Sequence, residues 1–412
     1  MKLENIGFYT LTDDRAKNVN LTSNLKRCEL ILTDVCNFKC PYCKGVRSDI
    51  KGTLKLEQAK YIVDLWTKEG LENIRFSGGE PTLYEGLIEL VEYTKNKNVK
   101  RIALSTNGSA NFELYKQLVD AGVNDFSISL DACCASFGEK MAGGIKGAWE
   151  TVVNNIKKLS DLTYVTVGVV LNENNIENLN EIINFADNLG VADIRIIPSA
   201  QYDEMLYKAQ NVNKNIINKH PILKYRVNNI KNNRHVRGIK QCDSRKCPLV
   251  IDDMVIAGNY HFPCIIYMRE QGNPIGKISS NMRQERYNWM INHDCYNDPI
   301  CQKNCLDVCI DYNNKYEYYQ IEKINLLKID SSYFDWLLWS SGSIKDFGIP
   351  SRYECITAIE NKNILKEYAI GWTYGENLLC RPKEKHVAVM FEKEDKRFWF
   401  HIRNNEFVKI FQ

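Results

Sequence analysis

The chain has 412 residues, of which 44% are apolar and 25% charged, with a net charge of +3. That balance fits a soluble globular protein of two or three domains and excludes a disordered chain or a small disulfide-stapled scaffold. No run of 18 apolar residues occurs and the opening MKLENIGFYTLTDDR has no apolar signal core, so no membrane span is expected and the protein is placed in the cytoplasm. In that reducing compartment its fifteen cysteines point to metal ligation or catalysis rather than disulfides.

After an N-terminal segment over 1–28, residues 29–200 alternate between two patterns. Apolar runs at 29–33, 74–77, 101–105, 125–130, 164–170 and 193–198 are short and rich in Ile, Val, Leu and Phe, as strands buried on both faces should be. Helical periodicity fills the gaps. Leu56, Ala59, Ile62, Val63 and Trp66 share one face of a helix that stops at Gly70, and others are expected near 86–96, 112–121, 148–159 and 176–189. Six strands with five intervening helices imply parallel βα units, doubly wound or curved toward a barrel, with function at the C-terminal strand ends.

Residues 201–246 form a polar connector. From Met205 to Lys246 there are eleven Lys or Arg and one acid, Asp243. Such a stretch either attracts anions, as a phosphorylated substrate, nucleic acid or acidic peptide would require, or is a solvated helix in an Asn- and Lys-rich chain. Residues 247–320 are cysteine-rich, with strand-like PLVID and MVIAGNYHFPC. Residues 321–412 read as a small α+β module, with a helix over 333–339 and a hairpin whose strands, 386–392 and 397–402, flank the turn KEDK.

Chemistry concentrates in two cysteine groups. Cys36, Cys40 and Cys43 follow C-x3-C-x2-C directly after the first strand. Three thiolates on one loop can hold three irons of a [4Fe–4S] cube and leave the fourth open, as catalytic metal sites do. A zinc loop that borrows a distant fourth ligand is the competing reading. Cys242, Cys247, Cys264, Cys295, Cys301, Cys305 and Cys309 make the second group. Cys28, Cys133, Cys134, Cys355 and Cys380 read as small buried hydrophobes, and His261 as a hairpin-surface histidine.

The first group, with Tyr42 before its third cysteine, resembles the radical S-adenosylmethionine (SAM) superfamily. Gly78-Gly79-Glu80-Pro81 after the second strand, Thr106 and Asn107 after the third, and Ser129 and Asp131 at the end of the fourth fall where that family's motifs do. The resemblance implies a partial (β/α)6 TIM-like barrel followed by a cysteine-rich iron–sulfur extension. It implies that Gly78–Pro81 holds the SAM amino group, with Glu80 offering an acceptor and the glycines letting backbone approach the ligand. Strand-end polar residues would contact ribose and carboxylate, and Val169 and its neighbours would meet the adenine. A reductant such as flavodoxin or ferredoxin would supply the electron that splits SAM to methionine and a 5′-deoxyadenosyl radical, which takes hydrogen from a substrate.

The second group is similar to the SPASM or twitch extensions, which carry auxiliary [4Fe–4S] clusters. By that analogy Cys242, Cys247, Cys264 and Cys309 hold one cluster, and Cys295, Cys301 and Cys305 supply three ligands of a second. Only the final x3 of the family's C-x2-C-x5-C-x3-C run is met, and no further cysteine follows within twenty residues of Cys309. The second cluster therefore has an open iron, a non-cysteine or remote ligand, or is absent, and structural zinc is the alternative.

Enzymes of this type often modify peptides or protein side chains, which is the first expectation, although such enzymes frequently carry a leader-binding module before the first strand, which here follows about 28 residues, and the tail over 321–412 would have to serve instead. The second is chemistry on a nucleotide, nucleic-acid base or phosphorylated cofactor precursor. The segment Ser129-Leu130-Asp131-Ala132 also resembles the molybdopterin-precursor cyclases. Those end in Gly-Arg-Gly and use a three-cysteine second site, so that enzyme itself is not expected. The third is a non-catalytic iron–sulfur or zinc protein, which would leave Gly78–Pro81 unexplained.

Overall fold

In a computed structural model, the described residues are 14–47, 49–50, 52–199, 211–241, 243–323, 354–356, 366–372, 386–393, 396–403 and 406–411. They fall into two compact units, Met1–Gly238 with Lys246–Cys309, and Ile239–Arg245 with Ile310–Gln412.

The first unit is built on parallel βα repeats. Strands β1 (Arg27–Thr33), β2 (Asn73–Gly78), β3 (Arg101–Thr106), β4 (Asp125–Ser129), β5 (Tyr164–Leu171) and β6 (Asp193–Pro198) pair side by side in that order, all parallel. Between them run α1 (Leu56–Lys68), α2 (Leu87–Asn96), α3 (Phe112–Ala121), α4 (Ala135–Met141), α5 (Ala148–Ser160) and α6 (Leu179–Asn188). The short α4 was not expected from periodicity. Helix α1 buries Ala59, Ile62, Val63 and Trp66 as its spacing requires. Each of its larger apolar side chains contributes roughly 2 kcal/mol by leaving water.

Strand parity divides the sheet. Leu30, Phe76, Leu104, Phe126, Val167, Val169 and Ile196 join the apolar core that includes the helix side chains. The alternate positions Arg75, Asp125, Ser127 and Arg195 face the other way and form a buried polar layer. There Arg195 Nη2 donates to Ser127 Oγ at 3.3 Å, and burial raises the Asp125 carboxyl against the pull of Arg75, Arg101 and Arg195. A partial barrel with a polar concave face results.

After β6 come α7 (Lys214–Lys219), α8 (Pro221–Lys231), α9 (Leu249–Asp252), β7 (Asp253–Ala257), β8 (Tyr260–Phe262), α10 (Ile265–Arg269), β9 (Gly276–Lys277), α11 (Met282–Asn292), α12 (Pro299–Asn304) and α13 (Asp307–Lys323). Strand β7 pairs in parallel with β1, from Arg27 opposite Asp253 to Ile31 opposite Ala257. With the antiparallel β8 and β9 it extends the sheet to nine strands, ordered β6-β5-β4-β3-β2-β1-β7-β8-β9. The cysteine-rich segment thus grows out of the core sheet, across the boundaries expected at 200 and 246. PLVID, expected as a strand, is largely the single turn α9 that precedes β7.

The second unit contains an antiparallel meander, β10 (Glu354–Ile356), β11 (Lys366–Trp372), β12 (His386–Lys393), β13 (Lys396–Arg403) and β14 (Glu406–Phe411). The expected hairpin is β12–β13, with His386 opposite Arg403. The helix expected over 333–339 lies outside the described residues.

Candidate functional site

The first cysteine loop leaves the C-terminal end of β1 beside β2, and the two glycines make this contact possible. A Cβ on Gly78 would stand 2.4 Å from Thr33 O, and one on Gly79 2.2 Å from Val35 O. Gly78 also has φ +152°, a conformation other residues rarely adopt. Across this gap Gly79 N–H donates to Thr33 O and Glu80 N–H to Val35 O, each at 2.7 Å. The close approach that the glycines permit is therefore to the stem of the cysteine loop, where sequence reasoning placed a ligand.

Glu80 also takes a different position from the one expected. Its carboxylate is fully buried. Oε1 accepts from Thr82 N–H at 3.1 Å, Thr82 Oγ1 at 2.7 Å and Thr106 Oγ1 at 2.6 Å, while Oε2 accepts from Asn107 N–H at 2.7 Å. Glu80 ties the end of β2 to the end of β3, and the buried Pro81 opens the 3-10 turn that follows. Asn107 continues the brace into the cysteine loop, donating from Nδ2 to Asn37 Oδ1 at 2.8 Å and reaching to 3.9 Å from Cys36 Sγ.

Tyr42 anchors the other side of the loop by donating its hydroxyl to Asp131. Asp131 also accepts from Val170 N–H at 2.7 Å, and burial pushes its carboxyl up to about 6. Ser129 is exposed at the end of β4, on the same face as Gly168, which pairs in turn with Arg195. A Cβ at Gly168 would lie 3.1 Å from Arg195 Nη2. Val169, expected against the adenine, points instead into the helix-packed core and is 1% exposed. A one-residue step on a strand reverses the face, so Gly168 and Val170 occupy the concave side.

Cys36 and Cys43 are exposed and Cys40 half-buried. Phe38 N–H donates to Cys36 Sγ at 3.4 Å and Gly45 N–H to Cys43 Sγ at 3.3 Å, so the loop already turns backbone donors toward sulfur. Burial pushes Cys40 up to about 12 and raises Cys36, and the nearby Asp131, Glu80 and the thiols themselves add to the effect. Thiolates here need a cation to offset them. The donor set fits an iron–sulfur cluster on this loop.

Of the second group, Cys242 lies outside the described residues; among the cysteines of neither group Cys380 does too, and for Cys355 the backbone alone is described, on β10. Cys247, Cys264, Cys295, Cys301, Cys305 and Cys309 converge on one region. Cys264, Cys305 and Cys309 are each raised by burial, Cys309 to about 12, and each also feels Cys247. Cys295 interacts by side-chain hydrogen bonds with Cys247 and Cys301, across the division expected between two ligand sets. Outside both groups, Cys28 is buried as expected, whereas Cys133 is half-buried and Cys134 exposed.

Residues that sequence reasoning missed hold this region in place. Arg286 is fully buried and donates to Val250 O at 2.6 Å, Phe262 O and Asp253 O at 2.7 Å, and Pro263 O at 3.1 Å, fixing the chain that leads into Cys264. His261 is not at the surface. It is fully buried with Nε2 2.8 Å from Glu285 Oε2, and burial beside Arg286 lowers it to about 3. The basic connector is partly spent here too. Arg226 pairs with the buried Asp307 at 2.6 Å, Asn229 Nδ2 donates to the same carboxylate at 2.8 Å, Arg234 reaches Asp307 O, and Arg237 bridges Pro198 O and Asn304 O. These arginines clamp the segment between Cys301 and Cys309, which accounts for part of the cationic stretch without an anionic ligand.

The fold is α/β with a three-thiol loop at the strand ends, and comparison with known proteins adds to this. Residues 30–186 match the family model of the radical SAM superfamily. That segment runs from β1 into α6 and includes the first cysteine loop. Among curated proteins it is 33% identical over 170 residues to a probable GTP 3′,8-cyclase of Methanocaldococcus jannaschii, covering 40% of this chain and 56% of that protein. To the probable GTP 3′,8-cyclase of Saccharolobus solfataricus it is 31% identical over 177 residues, 42% of this chain and 56% of that protein. The chain thus spans little more than half the length of these relatives. Among solved structures it is similar to anSMEcpe with bound AdoMet, at 16% identity and a TM-score of 0.50, covering 72% of this chain and 93% of that one. That likeness is one of fold. Among the described residues no helix is long and apolar enough to cross a membrane.

Proposed function

We propose that this chain binds a [4Fe–4S] cluster on Cys36, Cys40 and Cys43, cleaves SAM reductively beside it, and takes a hydrogen atom from a peptide or protein side chain, with at least one auxiliary [4Fe–4S] cluster on the later cysteines. The observation that carries the reading is the loop of three thiols locked to the ends of β2, β3 and β4 by Gly79, Glu80, Asn107 and Tyr42. When bound, cluster and SAM supply the one-electron cleavage that gives a hydrogen-abstracting radical. The protein's own residues position and shield. Glu80 and Asn107 set the stance of the loop. The exposed Ser129 offers a polar contact for SAM on the concave face, and Arg195 and the buried Gly168 pack beside it. The ordinary cytoplasmic reductants, flavodoxin or ferredoxin, would deliver the electron.

The peptide reading rests on the second thiol group, which resembles the SPASM or twitch extensions of peptide-modifying enzymes. A nucleotide or phosphorylated substrate is the second reading, favoured by the relatives' name, GTP 3′,8-cyclase. Anaerobic turnover with a reductant, with 5′-deoxyadenosine as readout, separates them. Peptides of varied sequence should stimulate its formation above the substrate-free rate. Stimulation by GTP or other nucleotides and not by peptides puts the second reading in its place. Iron and sulfide in a Cys36→Ala, Cys40→Ala, Cys43→Ala variant count the auxiliary clusters separately, at about four irons each.

A further inference from the structure

The six described thiols of the second group are not equivalent. One ring nitrogen of His293 and the Sγ atoms of Cys295 and Cys301 all lie within 4.8 Å of one another. Bonds of about 2.0–2.3 Å to one tetrahedral ion put its ligand atoms roughly 3.5–3.8 Å apart. Thiolates on separate irons of a cube stand wider, because each binds a different corner. The His293–Cys295–Cys301 group is drawn together on the scale of a single ion.

The surroundings hold the imidazole where such an ion would need it. Its ring stacks on Trp289, with centroids 3.9 Å apart and planes 18° from parallel, and meets Tyr267 edge-on at 6.2 Å. Lys246 Nζ donates to the backbone oxygens of Ile291 and His293, which fixes the chain on either side of Asn292. Nε2 is buried and makes no hydrogen bond, with Asp298 Oδ2 3.4 Å away. A buried polar atom that makes no hydrogen bond is costly. The other oxygen of Asp298 caps α12 by accepting from Ile300 N–H at 2.9 Å and Cys301 N–H at 2.8 Å. One carboxylate therefore ties the position of Cys301 to that of His293, as carboxylates near metal-bound imidazoles do.

We propose that His293, Cys295 and Cys301 bind a single zinc ion, leaving Cys247, Cys264, Cys305 and Cys309 as a four-thiolate set for one auxiliary [4Fe–4S] cluster. Two sulfurs and one nitrogen are a donor set zinc favours, and three protein ligands leave a fourth position for water or a substrate atom. The partition gives each set a matching number of ligands without a further cysteine. It rests on the proposed function for the cluster half and stands apart from it for the zinc half.

The test is metal analysis of the full chain, reconstituted anaerobically with iron and sulfide and then supplied with Zn2+, in wild type, His293→Ala and His293→Cys. The expected result is about one zinc per chain in wild type, at least a tenfold loss in His293→Ala with iron unchanged, and recovery in His293→Cys, where a thiolate replaces the ring. Co2+ in place of Zn2+ should give the visible absorption of a tetrahedral thiolate site in wild type and not in His293→Ala. Unchanged iron shows that the His293→Ala chain is folded. Wild type without zinc, or His293→Ala with wild-type zinc, overturns the assignment. Zinc retained in a wild type that takes up no auxiliary iron overturns the cluster reading instead and leaves the zinc site standing.

Discussion

Glu80→Gln separates two roles for the most enclosed acid of the site. In the native protein its carboxylate accepts four hydrogen bonds, two from backbone N–H groups, Thr82 at 3.1 Å and Asn107 at 2.7 Å, and two from threonine hydroxyls. A glutamine side chain has one oxygen. Whichever way the amide is turned, one backbone N–H faces an NH2 group, because the hydroxyls can rotate to accept and the backbone cannot. Losing a charge-assisted bond and leaving a buried donor unmade costs about 2–3 kcal/mol. Burial raises the Glu80 pKa, so removing the buried charge returns part of that cost. The net expectation is a loss of about 2 kcal/mol in the local brace, a factor of roughly thirty in an opening equilibrium. Amide hydrogen exchange on the metal-free chain reads it directly. Exchange at Asn107 and at the stem 33–35 should accelerate about thirtyfold, before any SAM is added. Unchanged exchange combined with lost SAM affinity would refute the reasoning and return Glu80 to the role of a ligand contact.

Three further outcomes are expected. Gly79→Ala should shift the stem by about an ångström to relieve the 2.2 Å contact, breaking one or both of the 2.7 Å bonds to Thr33 and Val35. Overpacking of that kind costs about 1–3 kcal/mol, so the midpoint of thermal unfolding should fall and iron uptake at the first loop with it; an unshifted midpoint with full iron contradicts the contact. Asp131 has a folded pKa of about 6 against an ordinary value near 3.9, so between those values the folded chain holds the extra proton and stability falls as pH rises, by about 3 kcal/mol in all. Asp131→Asn should therefore gain stability relative to wild type between pH 4 and pH 6 in denaturant melts, and a pH-independent difference would exclude the buried charge as the cause. Arg286→Met leaves four carbonyls without their donor, a cost above about 3 kcal/mol, and should abolish auxiliary iron while sparing the first cluster; normal auxiliary iron would show that the arginine is dispensable.

The parts legible in the sequence were those with a local signature. Short runs rich in Ile, Val, Leu and Phe marked all six core strands because one parity of each packs against the helices, and C-x3-C-x2-C marked the first loop. In β5, YVTVGVVL, both parities are apolar around Gly168, so the sequence did not separate Val169, which joins the helix-packed core, from Val170 on the concave side. Non-local pairings left no trace. Nothing in MVIAG says that β7 adds to β1, 226 residues earlier in the chain. Composition could not separate Arg226 and Arg237, which act inside the fold, from solvated cations. Nor could it show that Glu80, for all its place in a recognisable motif, is enclosed by Thr82, Thr106 and Asn107. His293 carried a signal that spacing could have raised, a histidine two residues before Cys295, but lone histidines near cysteines are common.

Reductive cleavage of SAM tests the central claim most directly. Wild-type chain, reconstituted anaerobically and given a strong reductant and SAM, should produce 5′-deoxyadenosine and methionine, and the Cys36→Ala, Cys40→Ala, Cys43→Ala variant should produce neither while keeping its auxiliary iron. A wild type that carries its iron yet leaves SAM intact, or a triple variant that still cleaves it, would contradict the assignment of this loop as the centre of the chemistry.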